Sequence, residues 1–184
     1  MNKHIFIING MAGSGKDTFI EMVEEALENV NKDYWIENYS SVTRVKEIAE
    51  KCGWNPKVKT EKDRKFLSDL KSLLVEYNDL PFKDMSYIKE GFLYDFENSK
   101  MLFFHIREPE EIARASKEFN AKTILVRRDS IPHIASNMSD NNVYNYDYDI
   151  IIDNNGSLED LKKKAEQFIN DYSNEDDYVR RRYY

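Results

Sequence analysis

Apolar positions along this chain follow two alternating periods. Lys3 to Asn9 is an almost unbroken apolar run with β-branched members. That is the pattern of a strand covered on both faces, at the centre of a parallel sheet. Phe19, Ile20, Val23, Ala26, Leu27 and Val30 then recur at helical spacing, which predicts an amphipathic helix. Trp35 to Tyr39 reads as a second, shorter strand. Ser40, Ser41 and Thr43 offer caps for a helix carrying Val45, Ile48 and Ala49, and Gly53 and Pro56 punctuate its end. Thr60 and Asp63 have capping-box spacing. They open a long helix with Phe66, Leu67, Leu70, Leu73, Leu74 and Tyr77 inward. Lys62, Arg64, Lys65, Asp69 and Lys71 form its solvated face. Pro81 ends that segment. Phe82 to Asn98 predicts another helix, with Met85, Ile88, Phe92 and Phe96 inward and Gly91 as a weak point.

The second half alternates strands and helices more simply. Lys100 to Ile106, Lys122 to Val126 and Tyr148 to Ile152 are strands. Pro109 suits the first turn of a helix continued by Ile112, Ala113 and Phe119. Ser157 and Asp160 make a second capping box, with Leu158, Leu161, Ala165, Phe168 and Ile169 facing the sheet. This order predicts a three-layer α/β/α fold with a five-stranded parallel sheet. It places one domain over 1–172, a helical substrate-covering insertion at about 43–98, a lid at about 128–146 and a tail at 173–184.

The chemistry starts at the loop after the first strand. Ile5 to Thr18 reads I-F-I-I-N-G-M-A-G-S-G-K-D-T. Gly10, Gly15 and Lys16 fit the phosphate-cradling pattern of a glycine, four residues, then Gly-Lys. Glycines let successive N–H groups turn inward, the helix adds its positive end, and Lys16 adds a mobile cation. Gly10, Ala12, Gly13, Ser14, Gly15, Lys16, Asp17 and Thr18 are therefore the candidate phosphate ligands. Asp17 stands where the pattern has a hydroxyl, and Thr18 comes one place later. Those two are the candidate Mg²⁺ ligands, with the ion held largely through water. His105 and Arg107 lie at the carboxyl end of the third strand, where ligands bind in such sheets. Arg107 reads equally as a phosphate ligand or an ion-pair partner of Glu108, Glu110 or Glu111. His105 reads as a satisfied core histidine or one standing behind the site. Arg127 and Arg128, ending the fourth strand, form a candidate phosphate clamp.

Composition narrows the class. Hydrophobic content of 41% with 33% charge describes a globular chain. A net charge of -7 argues against a nucleic-acid polymer as partner, but leaves room for a small phosphorylated ligand. The single cysteine, Cys52, excludes an intramolecular disulfide framework and is expected to be at least half-buried. No signal peptide is legible and no apolar run could span a bilayer, so neither export nor membrane association is expected and the cytoplasm is the expected location.

On the G-S-G-K-D-T loop and the order of elements, the chain resembles P-loop kinases of the nucleoside monophosphate kinase type. The G-K-D-T ending resembles phage-type deoxynucleoside monophosphate kinases, and the placing of Thr18 is similar to the G-K-G-T of adenylate kinases. The resemblance implies ATP and Mg²⁺ as cofactors and a small nucleotide as acceptor. It implies catalytic roles for Lys16, Arg107, Arg127 and Arg128. It puts Asn155, in the Asn154 to Ser157 turn, near the donor base, and Ser41, Arg44 and Arg64 on the acceptor side. His105 stands where that family often has an aspartate, and Asp17 is the candidate substitute. Kinases of other small phosphorylated metabolites, such as phosphomevalonate or dephospho-coenzyme A, share the fold. A GTP switch should carry Asn-Lys-x-Asp after the fourth strand, and the sequence has none.

Overall fold

A computed structural model describes residues 2–58, 60–94, 98–131 and 142–173. Five parallel strands lie in the order β2-β3-β1-β4-β5. They are β1 (His4–Asn9), β2 (Trp35–Ser40), β3 (Ser99–His105), β4 (Lys122–Arg127) and β5 (Ile150–Asp153). The apolar run of β1 sits at the centre. Phe6 and Ile8 are buried on one face and Ile7 on the other, because successive side chains of a strand point to opposite sides.

Helices cover both faces. α1 (Lys16–Val30) and α6 (Leu158–Ser173) close one core with Phe19, Val23, Leu27, Leu161 and Phe168. α4 (Leu80–Tyr94) and α5 (Pro109–Phe119) close the other with Phe82, Met85, Phe92, Ile112 and Phe119. α2 (Thr43–Lys51) and α3 (Glu61–Asn78) complete the helices among the described residues. The α/β/α expectation holds.

Register positions the site. Ile8 pairs with His105 on one side and Ile124 on the other. Ser40 pairs with His105, and Arg127 with Asp153. The carboxyl ends of all five strands therefore form one rim, where consecutive connections diverge to either side of β1.

Several expectations need correction. No residue of α3 is buried, and Phe66, Leu73 and Tyr77 are exposed. α3 packs on α2 and α4, one layer out from the sheet, so its stripe is only partly covered. Two ion pairs tie this layer to α5: Lys71 to Glu111 at 2.7 Å and Asp79 to Arg114 at 2.6 Å. Pro81 does not end α3. Asp79, with φ 56°, ends it, and Pro81 lies in the first turn of α4, where a missing N–H costs nothing. That helix runs Leu80–Tyr94 rather than Phe82 to Asn98. Val42, not a hydroxyl residue, caps α2 without a side-chain bond; the Ser40 and Thr43 hydroxyls instead accept from the N–H groups of Val42 and Ser40 in the preceding turn. Val30 and Leu158 are exposed, at the last and first positions of their helices. Cys52 is exposed just beyond α2. Both capping boxes form as expected, Thr60 with Asp63 and Ser157 with Asp160. Phe96, the lid segment 132–141 and the tail from 174 lie outside the described residues. No described helix is long and apolar enough to cross a membrane.

Candidate functional site

The loop from Gly10 to Gly15 leaves the centre of the rim and turns directly into α1. Gly13 and Gly15 have φ of 80° and 93°, left-handed backbone that glycine adopts without strain. Gly10, at φ 153°, has a further reason. A β-carbon there would lie 2.4 Å from the Val126 carbonyl oxygen and 2.6 Å from Ser14 Oγ, so the loop hugs β4. Gly15 is the N-cap of α1, and no side chain caps it. The first-turn amides of a helix have no partner within the helix, and here they open toward a cleft.

That cleft, of about 230 Å³, is walled by Gly13, Gly15, Lys16 and Thr18 on the loop side. Arg128, Asn154, Leu158 and Leu161 complete its lining. Ser14 Oγ is buried with no hydrogen-bond partner among the described residues. Lys16 Nζ folds back onto the loop, donating to the carbonyls of Gly10 at 2.6 Å and Met11 at 3.0 Å. A cation resting on its own loop's carbonyls and a buried hydroxyl lacking a partner both suit an anion-binding loop. Asp17 is exposed on the first turn of α1, and Thr18 is half-buried. A larger hollow, of about 460 Å³, lies around Lys3, Phe6 and Lys122, at the amino ends of β1 and β4 and away from the loop.

Polar bonds from distant segments hold the loop. Asn9 is buried; its Oδ1 accepts from the Gly10 N–H at 2.8 Å and its Nδ2 donates to the Tyr148 hydroxyl at 2.8 Å and the Arg107 carbonyl at 3.2 Å. Burial pushes the Tyr148 phenol up to about 12, so it remains a donor, to the Val143 carbonyl. Asn154 is also buried and donates from Nδ2 to the Ser14 carbonyl at 2.9 Å. Neither asparagine was singled out as a loop support by the sequence pattern.

The expected arginine pair is divided. The Arg127 guanidinium binds Asp153 at 2.7 Å, a bridge between β4 and β5, while Arg128 faces the cleft. Asn155, expected near the donor base, is committed to Asp129: it accepts from the Asp129 N–H and donates to its carboxylate, each at 2.8 Å.

On the other side of the loop, His105 ends β3 half-buried. Burial pushes its imidazole down to about 4; Asp17 opposes this, and Lys16, Arg107 and Lys46 reinforce it. The ring is therefore neutral at neutral pH, and Nε2–H donates to Asn38 Oδ1 at 2.7 Å. At the end of β2 the Tyr39 hydroxyl donates to the Asp84 carboxylate, and burial followed by that bond raises its pKa. Arg44 is exposed and pairs with Glu47 at 2.7 Å. Ser41 is buried, its N–H bound to the His105 carbonyl. Arg64 lies 3.8 Å from Glu61 on the first turn of α3. The structure thus gathers Lys16, Asp17, Thr18, Arg107 and Arg128 round the loop and leaves Arg64 on the outer helical layer.

No protein-family model and no curated protein matches this sequence. Solved structures do. The crystal structure of shikimate kinase from Aquifex aeolicus VF5 aligns with a TM-score of 0.51 at 14% identity, covering 92% of this chain and 98% of that one. The chain has a P-loop kinase fold. A structure of a candidate kinase from Chloroflexus aurantiacus J-10-fl aligns at 13% identity over 70% of this chain and 60% of that one, with a TM-score of 0.37, too distant to bear on the fold. In the P-loop kinase fold shown here, the glycine-rich loop lies at the carboxyl end of the central strand, at the crossover point of the sheet.

Proposed function

We propose that the chain is an ATP-dependent small-molecule kinase whose acceptor is a nucleoside monophosphate. The uncapped α1 N-terminus carries this reading: it opens on a cleft with Lys16 folded across loop carbonyls and Arg128 in its lining. Amides of the loop and first helical turn bind the donor's phosphates. Lys16 leaves the Gly10 and Met11 carbonyls for the outer phosphate oxygens. Arg128 approaches the same group from the cleft lining, and the Asp153-bound Arg127 fixes where that arm begins. Phosphoryl transfer needs alignment and neutralisation of spreading charge more than covalent help, and these cations supply both.

Thr18 and Asp17 are the residues that would hold Mg²⁺. Among the described residues no group of three or more His, Cys, Asp or Glu side chains comes together. One or two protein oxygens beside phosphates and water suit this ion. Held there, the ion would supply positive charge to offset that of the donor's phosphates. On the acceptor side, Arg107, whose carbonyl accepts from Asn9 beside the loop, favours a phosphorylated substrate. The Tyr39–Asp84 pair offers a polar edge to the remainder of that substrate.

The test is ADP release from ATP and Mg²⁺ across nucleoside monophosphates and other small phosphorylated metabolites. Stimulation by a nucleoside monophosphate is the expected result. Stimulation only by a non-nucleotide would reassign the acceptor, and no stimulation by any compound would remove the transfer reaction.

A further inference from the structure

The three residues that end β5 and begin the next turn act as a clasp. Asp153 holds the Arg127 guanidinium, Asn155 holds Asp129, and Asn154 between them reaches the phosphate loop. The Asn154 main-chain N–H donates to the Arg127 carbonyl at 2.7 Å, so the residue is held through its main chain as well as its side chain. The Nδ2–Ser14 carbonyl bond is buried and spans 140 positions of chain.

That bond has a directional consequence. The chain contains no cis peptide among its described bonds, and in a trans peptide the C=O and N–H point opposite ways. Holding the Ser14 carbonyl therefore fixes the Gly15 N–H in the opposite direction, and Gly15 itself lines the cleft. The close fit leaves no slack: a β-carbon on Gly15 would lie 2.4 Å from Asn154 Nδ2. The Ser14 N–H already closes a turn onto the Met11 carbonyl. Gly15 thus supplies the amide immediately preceding those of Lys16, Asp17 and Thr18.

We propose that Asn154 is a positioning residue: by holding the Ser14 carbonyl it aims the Gly15 amide at the donor's polyphosphate. This rests on the glycine-rich loop being a phosphate site. It also makes one turn set both the loop and the start of the Arg128 arm.

The experiment is titration of ¹⁵N-labelled protein with inorganic tripolyphosphate, followed by amide chemical shifts. In the parent chain the Gly15 amide should move together with those of Lys16 to Thr18. In Asn154→Ala the affinity should fall about tenfold or more, as expected for one lost buried bond. The Gly15 response should disappear while the Lys16 to Thr18 responses persist. Asn154→Asp keeps the size and removes the donor, and should lose at least as much. Equal affinity and an unchanged Gly15 response in either folded variant would overturn the proposal. In the parent chain, the coupling across the hydrogen bond between Asn154 ¹⁵Nδ2 and the Ser14 carbonyl ¹³C should survive ligand addition. Its loss would overturn the proposal with no variant needed. Failure of the parent to bind tripolyphosphate at all would instead strike the phosphate-site reading beneath it.

Discussion

Lys16→Ala is expected to lower turnover by about a thousandfold or more, the scale for losing a cationic clamp on a transferring phosphoryl group. The side chain lies at the first position of α1 and its Nζ reaches two loop carbonyls. Those carbonyls are only partly buried, so water replaces the ammonium and the fold persists. The loss should fall on the chemical step, because the loop and first-turn amides still bind the donor. ADP release with the best acceptor measures it. Turnover within tenfold of the parent, in a protein with an unchanged spectrum, would remove Lys16 from the mechanism.

Gly10→Ala should damage binding and stability together. The new methyl would press on the Val126 carbonyl at 2.4 Å. That carbonyl belongs to β4, locked between β1 and β5. The loop is the softer side and must move. Moving it breaks the Gly10 N–H bond to Asn9 and shifts the ground under Lys16. Overpacking of this kind costs roughly 2–3 kcal/mol, read as a lower urea midpoint. ATP affinity should fall about hundredfold, the effect of displacing several preorganised donors at ~1 kcal/mol each. Gly91→Ala is the control. It lies in open space within α4 and should stabilise by ~0.5–1 kcal/mol through helix propensity. Equal behaviour of the two variants would mean that Gly10 has no special fit.

What could be read in advance was local. The strand-loop-helix at Ile5 to Thr18, the continuous apolar run of β1 and the two capping boxes are set by neighbours a few residues apart. The supports of the loop are not. Asn9 reaches Tyr148 over 139 positions, and Asn154 reaches Ser14 over 140, so no short pattern encodes either bond. Arg127 illustrates the limit from the other direction. Adjacent arginines suggested a joint clamp, but β4–β5 pairing sets Asp153 opposite the first of them. The stripe on α3 has helical periodicity whatever covers it, and only the layer order reveals that α2 and α4 cover it in part.

The central claim is that the hollow ahead of α1 grips a nucleotide's polyphosphate and that Lys16 changes partners when it does. A crystal structure with Mg²⁺ and β,γ-imido-ATP tests it most directly. The account predicts phosphate oxygens within hydrogen-bond reach of the Gly15 to Thr18 amides, with Lys16 Nζ moved from the Gly10 carbonyl onto them. A triphosphate bound elsewhere, or Lys16 still resting on Gly10 and Met11 beneath a bound nucleotide, would contradict it.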